Sequence, residues 1–351
     1  MTSNPDVFKY FDAALQRNAS DILFTAGVPP CIRVNGEISQ FDVPALTPDQ
    51  TQRMLYSVLT QEQIARFENE LELDFSIQYQ DRARFRGNAY RQKGAVASTF
   101  RSIPNLIPSF EQLGLPAVLS EWCMQPQGLM LFTGPTGHGK STTQAALIDR
   151  INQTQRWHIV TVEDPVEYLH VSKRSVIDQR DVGEDTHSFG SALRHVLRQD
   201  PDVIQVGELR DHESIAVALT AAETGHLVLS TLHTNSAVQA IDRIIDVFPS
   251  HQQNQVRTQL SFSLLAIVSQ RLLPRVDGKS RVLAVEVLRN TPAVANLIRE
   301  SRTQQIATVI ETHGKSGMQS MDSSLKDLFK RGLIARDTAA RHMVNPGALN
   351  T

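Results

Sequence analysis

Two rhythms of apolar and polar positions divide the chain. Within Asp6–Arg17 the apolar residues fall at 7, 8, 11, 14 and 15, which predicts an opening helix. Ser20 to Ile38 reads S-D-I-L-F-T-A-G-V-P-P-C-I-R-V-N-G-E-I. That is two short β-rich runs around Gly27-Val28-Pro29-Pro30, with Asn35-Gly36 marking a tight hairpin turn. Thr47-Pro48 opens a helix carrying Met54, Leu55, Val58 and Leu59, and a second helix runs through Phe67 and Leu71. From Asp74 to Phe100 the pattern alternates again, as antiparallel strands with one polar face do. Residues 1–101 therefore read as a small α+β domain. Residues 102–116 hold Pro104, Pro108, Pro116 and Gly114 and read as an interdomain linker.

In 117–351 strand and helix patterns alternate. Apolar runs recur at 129–132, 158–162, 203–206 and 227–232, with helical stretches between them. This predicts a mostly parallel sheet covered on both faces. From Ser236 onward the pattern reads as helical, with long segments near 237–247, 252–272, 291–300 and 321–331.

Composition adds bounds. A chain of 351 residues exceeds one ordinary core, so two domains are expected. With 41% hydrophobic and 21% charged residues it has a soluble, globular make-up. A net charge of −2 gives no global pull toward nucleic acid. Cys31 and Cys123 are too few for a disulfide framework or a four-cysteine zinc site, which favours a reducing cytoplasm. No apolar run reaches membrane-spanning length, and the first residues do not resemble a secretory leader.

The chemistry centres on Gly128–Thr143, G-L-M-L-F-T-G-P-T-G-H-G-K-S-T-T. A short apolar strand runs into Gly134-x-x-x-x-Gly139-Lys140-Ser141, the pattern of a phosphate-binding loop opening a helix. Glycines let the backbone turn its N–H groups inward around a polyphosphate. The loop Gly134, Pro135, Thr136, Gly137, His138, Gly139, Lys140, Ser141 and Thr142 is the candidate nucleotide site. Lys140 would meet the β- and γ-phosphates and Ser141 would ligate Mg²⁺.

Three further stretches end apolar runs in polar groups. Val160-Thr161-Val162 leads to Glu163 and Asp164, where a carboxylate could orient or deprotonate water, or simply form an acidic turn. Val203–Val206 leads to Gly207 and Glu208, which suits the strand beside the loop strand and an acid that holds Mg²⁺ through water. His226 and His233 flank Leu227–Leu232. A γ-phosphate sensor at the His233 end is one reading, and a satisfied structural histidine is the other. Arg82, Arg84 and Arg86 alternate on one strand face, either as a solvated face or as an arginine comb for phosphate.

Taken in order, the loop, E-D-P-x-E, D-P-D-x-I-x-x-G-E-x-R-D and G-H-x-x-x-x-T-L-H-T resemble the ATPases of type II and type IV secretion systems. The PilT-like motors that retract type IV pili are the nearest branch. Ala19-Ser20-Asp21, Pro29-Pro30, Ala83-Arg84-Phe85-Arg86 and Thr220–Gly225 extend the resemblance, which runs from about residue 5 to about residue 345. It implies a PAS-like N-terminal domain, a RecA-like ATPase core with a helical C-terminal part, and a homohexameric ring. It also implies ATP and Mg²⁺ as ligands and Glu163 as the water-activating acid. Glu208 matches the Walker B glutamate, and His226 and His233 the histidine box. Arg84, with Arg82 and Arg101, would reach a neighbour's nucleotide. The implied setting is the inner face of the cytoplasmic membrane, with an inner-membrane pilus platform protein and a paralogous motor ATPase as partners and no nucleic acid. A motor of a type II or type IV secretion or conjugation system is the alternative, as is a nucleotide-binding accessory subunit. Ala293–Glu300 reads A-V-A-N-L-I-R-E against the retraction motors' A-I-R-N-L-I-R-E, so Ala295 stands where those motors carry arginine. His138 stands where serine is usual, at a variable position, and ATP binding is expected to survive it.

Overall fold

The computed structural model of the chain describes residues 7–350 apart from 35, 81, 104, 105 and 279. Asn35 of the expected hairpin and Pro104 of the expected linker thus lie outside the described residues. Two compact units divide the chain at Leu106/Ile107.

The first unit contains α1 (Val7–Gln16), β1 (Asp21–Phe24), β2 (Cys31–Val34), β3 (Glu37–Gln40), α2 (Pro48–Tyr56), α3 (Gln61–Glu70), β4 (Glu72–Tyr79), β5 (Ala83–Gln92) and β6 (Ala95–Ile103). Its sheet is antiparallel in the order β3-β2-β1-β6-β5-β4. Thr47 caps α2 with a capping box and Pro48 at the first helical position, as the sequence predicts. Phe11 of α1 stacks on Phe85 of β5 with ring centroids 4.3 Å apart, which anchors the helix to one sheet face.

The opposite face of that sheet is polar. Ser76, Arg86, Arg101, Asp21 and Arg33 align in one row across β4, β5, β6, β1 and β2. Asp21 pairs with Arg101 at 3.0 Å and with Arg33 at 3.6 Å. Arg84 donates to Ser76 Oγ at 2.7 Å. Arg82 leaves the expected comb. It lies just before β5 and pairs with Asp12 of α1, a carboxylate on the helix-covered side that also accepts from Tyr79.

The second unit contains α4 (Val118–Trp122), β7 (Gly128–Thr133), α5 (Lys140–Thr154), β8 (His158–Glu163), β9 (Val176–Asp181), α6 (Phe189–Val196), β10 (Val203–Val206), α7 (His212–Glu223), β11 (Leu227–Leu232), α8 (Ala237–Asp246), α9 (Ser250–Ser263), β12 (Leu264–Pro274), β13 (Arg281–Arg289), α10 (Pro292–Arg299), α11 (Ile306–Thr312), α12 (Met321–Lys330) and α13 (Arg336–His342). The sheet order is β13-β12-β7-β11-β10-β8-β9, parallel throughout except for the β12–β13 pair. Leu129 and Leu131 face a core shared with α7, α8 and α9, while Met130 and Phe132 face one shared with α5 and α4. Both faces are therefore covered, and this is why the parallel strands read as continuous apolar runs.

Three expectations are corrected. The segment 252–272 is not one helix: α9 ends at Ser263 and Leu264 begins β12. The run Leu264-Leu265-Ala266-Ile267-Val268 belongs to the strand between β7 and β13, buried except at the partly exposed Leu265, and a short apolar run does not reveal its period. The C-terminal region is accordingly not all helical. The strand that leads to Glu208, β10, lies between β11 and β8 and does not border β7. The stretch 102–116 is divided. Ser102 and Ile103 belong to β6, while Phe110 and Leu115 are buried in the second unit's core.

Candidate nucleotide site

The site forms at the C-terminal edge of the parallel strands, where β7, β8, β10 and β11 each run into a loop. This is where open α/β sheets hold ligands. The six residues of β7 are fully buried, so the strand presents a rigid base for the loop that follows. Gly134 has φ +138°, and a Cβ there would stand 2.3 Å from the carbonyl oxygen of Gln270 on β12. Only glycine satisfies both constraints. Gly139, at φ +83°, starts α5 without any side-chain cap, and no acidic residue occupies the first turn. The N–H groups of that turn and the positive end of a 15-residue helix are open to an anion.

Lys140 is 8% exposed. Its Nζ donates to the carbonyl oxygens of Gly134 (2.7 Å) and Pro135 (3.0 Å), which curls the side chain back over the loop. Burial pulls its pKa below the usual lysine value, and Glu208 and Glu167 oppose that shift. His233 Nδ1 lies 3.5 Å from the same ammonium, and His233 Nε2 lies 2.9 Å from a Glu208 oxygen. A lysine ammonium can only donate, so Nδ1 accepts and Nε2–H donates to Glu208. The second Glu208 oxygen takes the guanidinium of Arg210. Lys140, His233, Glu208 and Arg210 thus form one connected polar chain.

Glu163, the last residue of β8, is 7% exposed. It accepts from Thr161 Oγ1 at 2.9 Å, from the Glu167 N–H at 3.3 Å and from Gln179 Nε2 at 3.5 Å. Burial outweighs these bonds and pushes its pKa to about 7. A carboxyl tuned there can release and take a proton near neutrality. Tyr168 meets Thr142 Oγ1 at 2.9 Å, so the segment after Glu163 packs against the first turn of α5. Asp164, the other half of the acidic pair, is exposed.

His226 does not join this group within one chain. It sits at the N-terminal end of β11, where its carbonyl accepts from Gly128 and its Nδ1 lies 3.0 Å from the Ala221 oxygen. The six-residue strand separates it from His233. Arg84 and Arg101 belong to the first unit, and the loop to the second.

Several participants escape sequence reasoning. Gln270 of β12 donates to Thr143 Oγ1 at 2.7 Å, and His138 Nδ1 accepts the Leu272 N–H at 3.1 Å. Both contacts depend on β12, whose sequence pattern reads as helix. Gln179 of β9 donates to the Tyr168 carbonyl at 2.7 Å and was invisible because β9 has no continuous apolar run. Arg210 and Glu167 stood inside the quoted motifs, and that proximity to Glu208 and Glu163 was the available signal.

A family model for type II/IV secretion system proteins matches residues 105–333. The chain belongs to that family. Among its relatives in Pseudomonas aeruginosa is the type IV pilus retraction ATPase PilT, 46% identical over 334 residues, which cover 95% of this chain and 97% of PilT. The type IV pilus ATPase PilU from the same organism is 41% identical over 93% of this chain and 86% of its own length. A crystal structure of the pilus retraction motor PilT with bound ADP superposes with a TM-score of 0.91 at 48% identity, covering 98% of this chain and 99% of that one. The chain has, among its described residues, no helix long and apolar enough to cross a membrane.

Proposed function

We propose that the protein is a hexameric ATPase that hydrolyses ATP to drive type IV pilus retraction. The observation that carries the ATPase part is the convergence of Lys140, His233, Glu208 and Glu163 at one edge of one sheet. The retraction part rests on identity to PilT across nearly the whole of both chains.

The donor set fits a magnesium nucleotide. The uncapped first turn of α5 and the Lys140 ammonium suit phosphate oxygens. Ser141 would hold Mg²⁺ directly and Glu208 through water. When bound, Mg²⁺ neutralises charge that develops on the phosphates. Glu163 takes the proton of the attacking water. Its neighbours Thr161 and Glu167 keep the carboxyl oriented, since both donate to it. His233 links the phosphate-facing lysine to Glu208, so loss of a γ-phosphate would be felt at two strand ends together.

The resemblance to ring motors gives Arg84 a place at a neighbour's site. Subunit mixing tests this. Lys140→Ala and Arg84→Ala proteins, each inactive alone, regain turnover when co-assembled if the site is shared between subunits. No recovery would confine the site to one chain. In cells, deletion of the gene is expected to leave excess surface pili and no twitching. Bald cells would overturn retraction. Normal pili with weakened movement would favour an accessory role beside a main motor.

A further inference from the structure

One row of residues crosses the sheet immediately below the nucleotide loop. Thr133 is the last residue of β7, just before Gly134, and is opposite Leu232, just before His233. Thr133 is also opposite Ser269 of β12, and Ser269 is opposite Glu286 of β13. Thr133 Oγ1 donates to Ser269 Oγ at 2.9 Å, and Ser269 Oγ reaches Glu286 Oε1 at 3.4 Å. The same Oε1 accepts the backbone N–H of Ala237 at 2.7 Å. Ala237 is the first residue of α8, four positions after His233, and Ser236 caps that helix.

Glu286 is therefore the acceptor on which two paths end. One comes from the strand that carries the phosphate loop, and the other from the helix that anchors the His233 loop. Its carboxyl is pressed into the unit between β12, the start of α8 and Asp322 of α12, and burial raises its pKa. A part-buried carboxyl set on a ten-residue helix's first N–H is stabilised by that helix end. Across the sheet, Ser269 and Thr133 stand between it and the strand end that leads into Gly134.

We propose that Glu286 is a positioning residue for hydrolysis, which sets the His233 loop against the phosphate loop through Ser269 and Ala237. This rests on the reading of His233 as part of the ATP site. A carbonyl oxygen can accept both hydrogen bonds, so Glu286→Gln preserves the arrangement, whereas Glu286→Ala removes it and frees the start of α8.

The test combines amide exchange and kinetics in the full-length protein. In Glu286→Ala the amides of Ala237 to Gln239 lose protection, and kcat falls about tenfold or more with ATP affinity changed less than about threefold. Glu286→Gln restores both. The Glu286→Ala, His233→Gln double variant is no slower than His233→Gln alone, because both act on one loop. Native amide protection in Glu286→Ala would overturn the proposal. Losses in kcat that multiply in the double variant would do the same. A wild-type protein that binds ATP without turning it over would overturn the ATPase reading instead, and the exchange result would still decide whether Glu286 holds the loop.

Discussion

Nζ of Lys140 stands 3.5 Å from Nδ1 of His233, and Nε2 of the same ring lies 2.9 Å from Glu208. The imidazole therefore joins the residue expected on the phosphates to the residue expected beside the metal ion. Removing it should not empty the site, because Lys140 keeps both of its loop carbonyls. His233→Gln is expected to bind ATP within about threefold of wild type and to lose about a hundredfold in kcat. Titration calorimetry and steady-state turnover separate the two. A matching loss of affinity would instead make His233 a binding residue.

Glu163 carries a pH signature. Its folded pKa is pushed to about 7, above its ordinary value of 4.5. Turnover that needs the deprotonated base should rise with pH through about 7. Stability should run the other way. Between those two values the folded chain holds a proton that the unfolded chain releases, so stability falls as pH rises and levels off above 7. Glu163→Gln is expected to abolish turnover while retaining ATP, and to lose this pH dependence in urea denaturation. Native-rate hydrolysis by that variant would remove the water-activating role.

Gly134→Ala tests how tightly the loop is held. The added methyl would meet the Gln270 carbonyl, and φ is one that alanine rarely adopts. A destabilisation of about 2–4 kcal/mol and a large loss of nucleotide affinity are expected. Gly137→Ala is a useful contrast, since its Cβ would meet nothing within 4 Å and only the positive φ opposes it.

His138 accepts the Leu272 N–H through Nδ1, which requires that nitrogen to be unprotonated. Burial, then Arg271, Arg281, Lys140 and His342, hold its pKa below 6.5. The folded state consequently loses stability as pH drops from 6.5 toward that lowered value. His138→Asn, whose Oδ1 can accept the same bond, should keep the midpoint in urea and flatten this slope. His138→Leu should cost about 1–2 kcal/mol, by leaving the N–H without an acceptor. His138 thus ties the loop to β12, and nucleotide binding is expected in the native protein.

Ala295, the departure within the late helix, has a plain packing context. It is 9% exposed and lies on the face of α10 that packs inward with Val294 and Ile298. Arg299 remains outside, donating to Ser261 Oγ at 3.1 Å and lying over the Phe262 ring. The exposed side of α10 therefore keeps the arginine that both versions of the motif share.

The loop, the two acids and the strands beneath them were legible in the sequence for one reason. Parallel strands buried on both faces read as unbroken apolar runs, and a phosphate loop demands glycine and lysine at set spacing. Those are local requirements, and local requirements leave local traces. What only the tertiary structure decided is which strand ends lie together. β12 looked like a continuation of α9 because a five-residue apolar run has no readable period. Yet its backbone is what forces glycine at 134 and receives His138. His226 and His233 look alike in sequence and are set at opposite ends of β11, because strand direction separates them. Glu286 looked like any charge in a C-terminal segment until β13 turned back beside β12 and aimed its carboxyl at the start of α8. Contacts between residues so far apart in the chain depend on register and sheet order, which no single stretch of sequence carries.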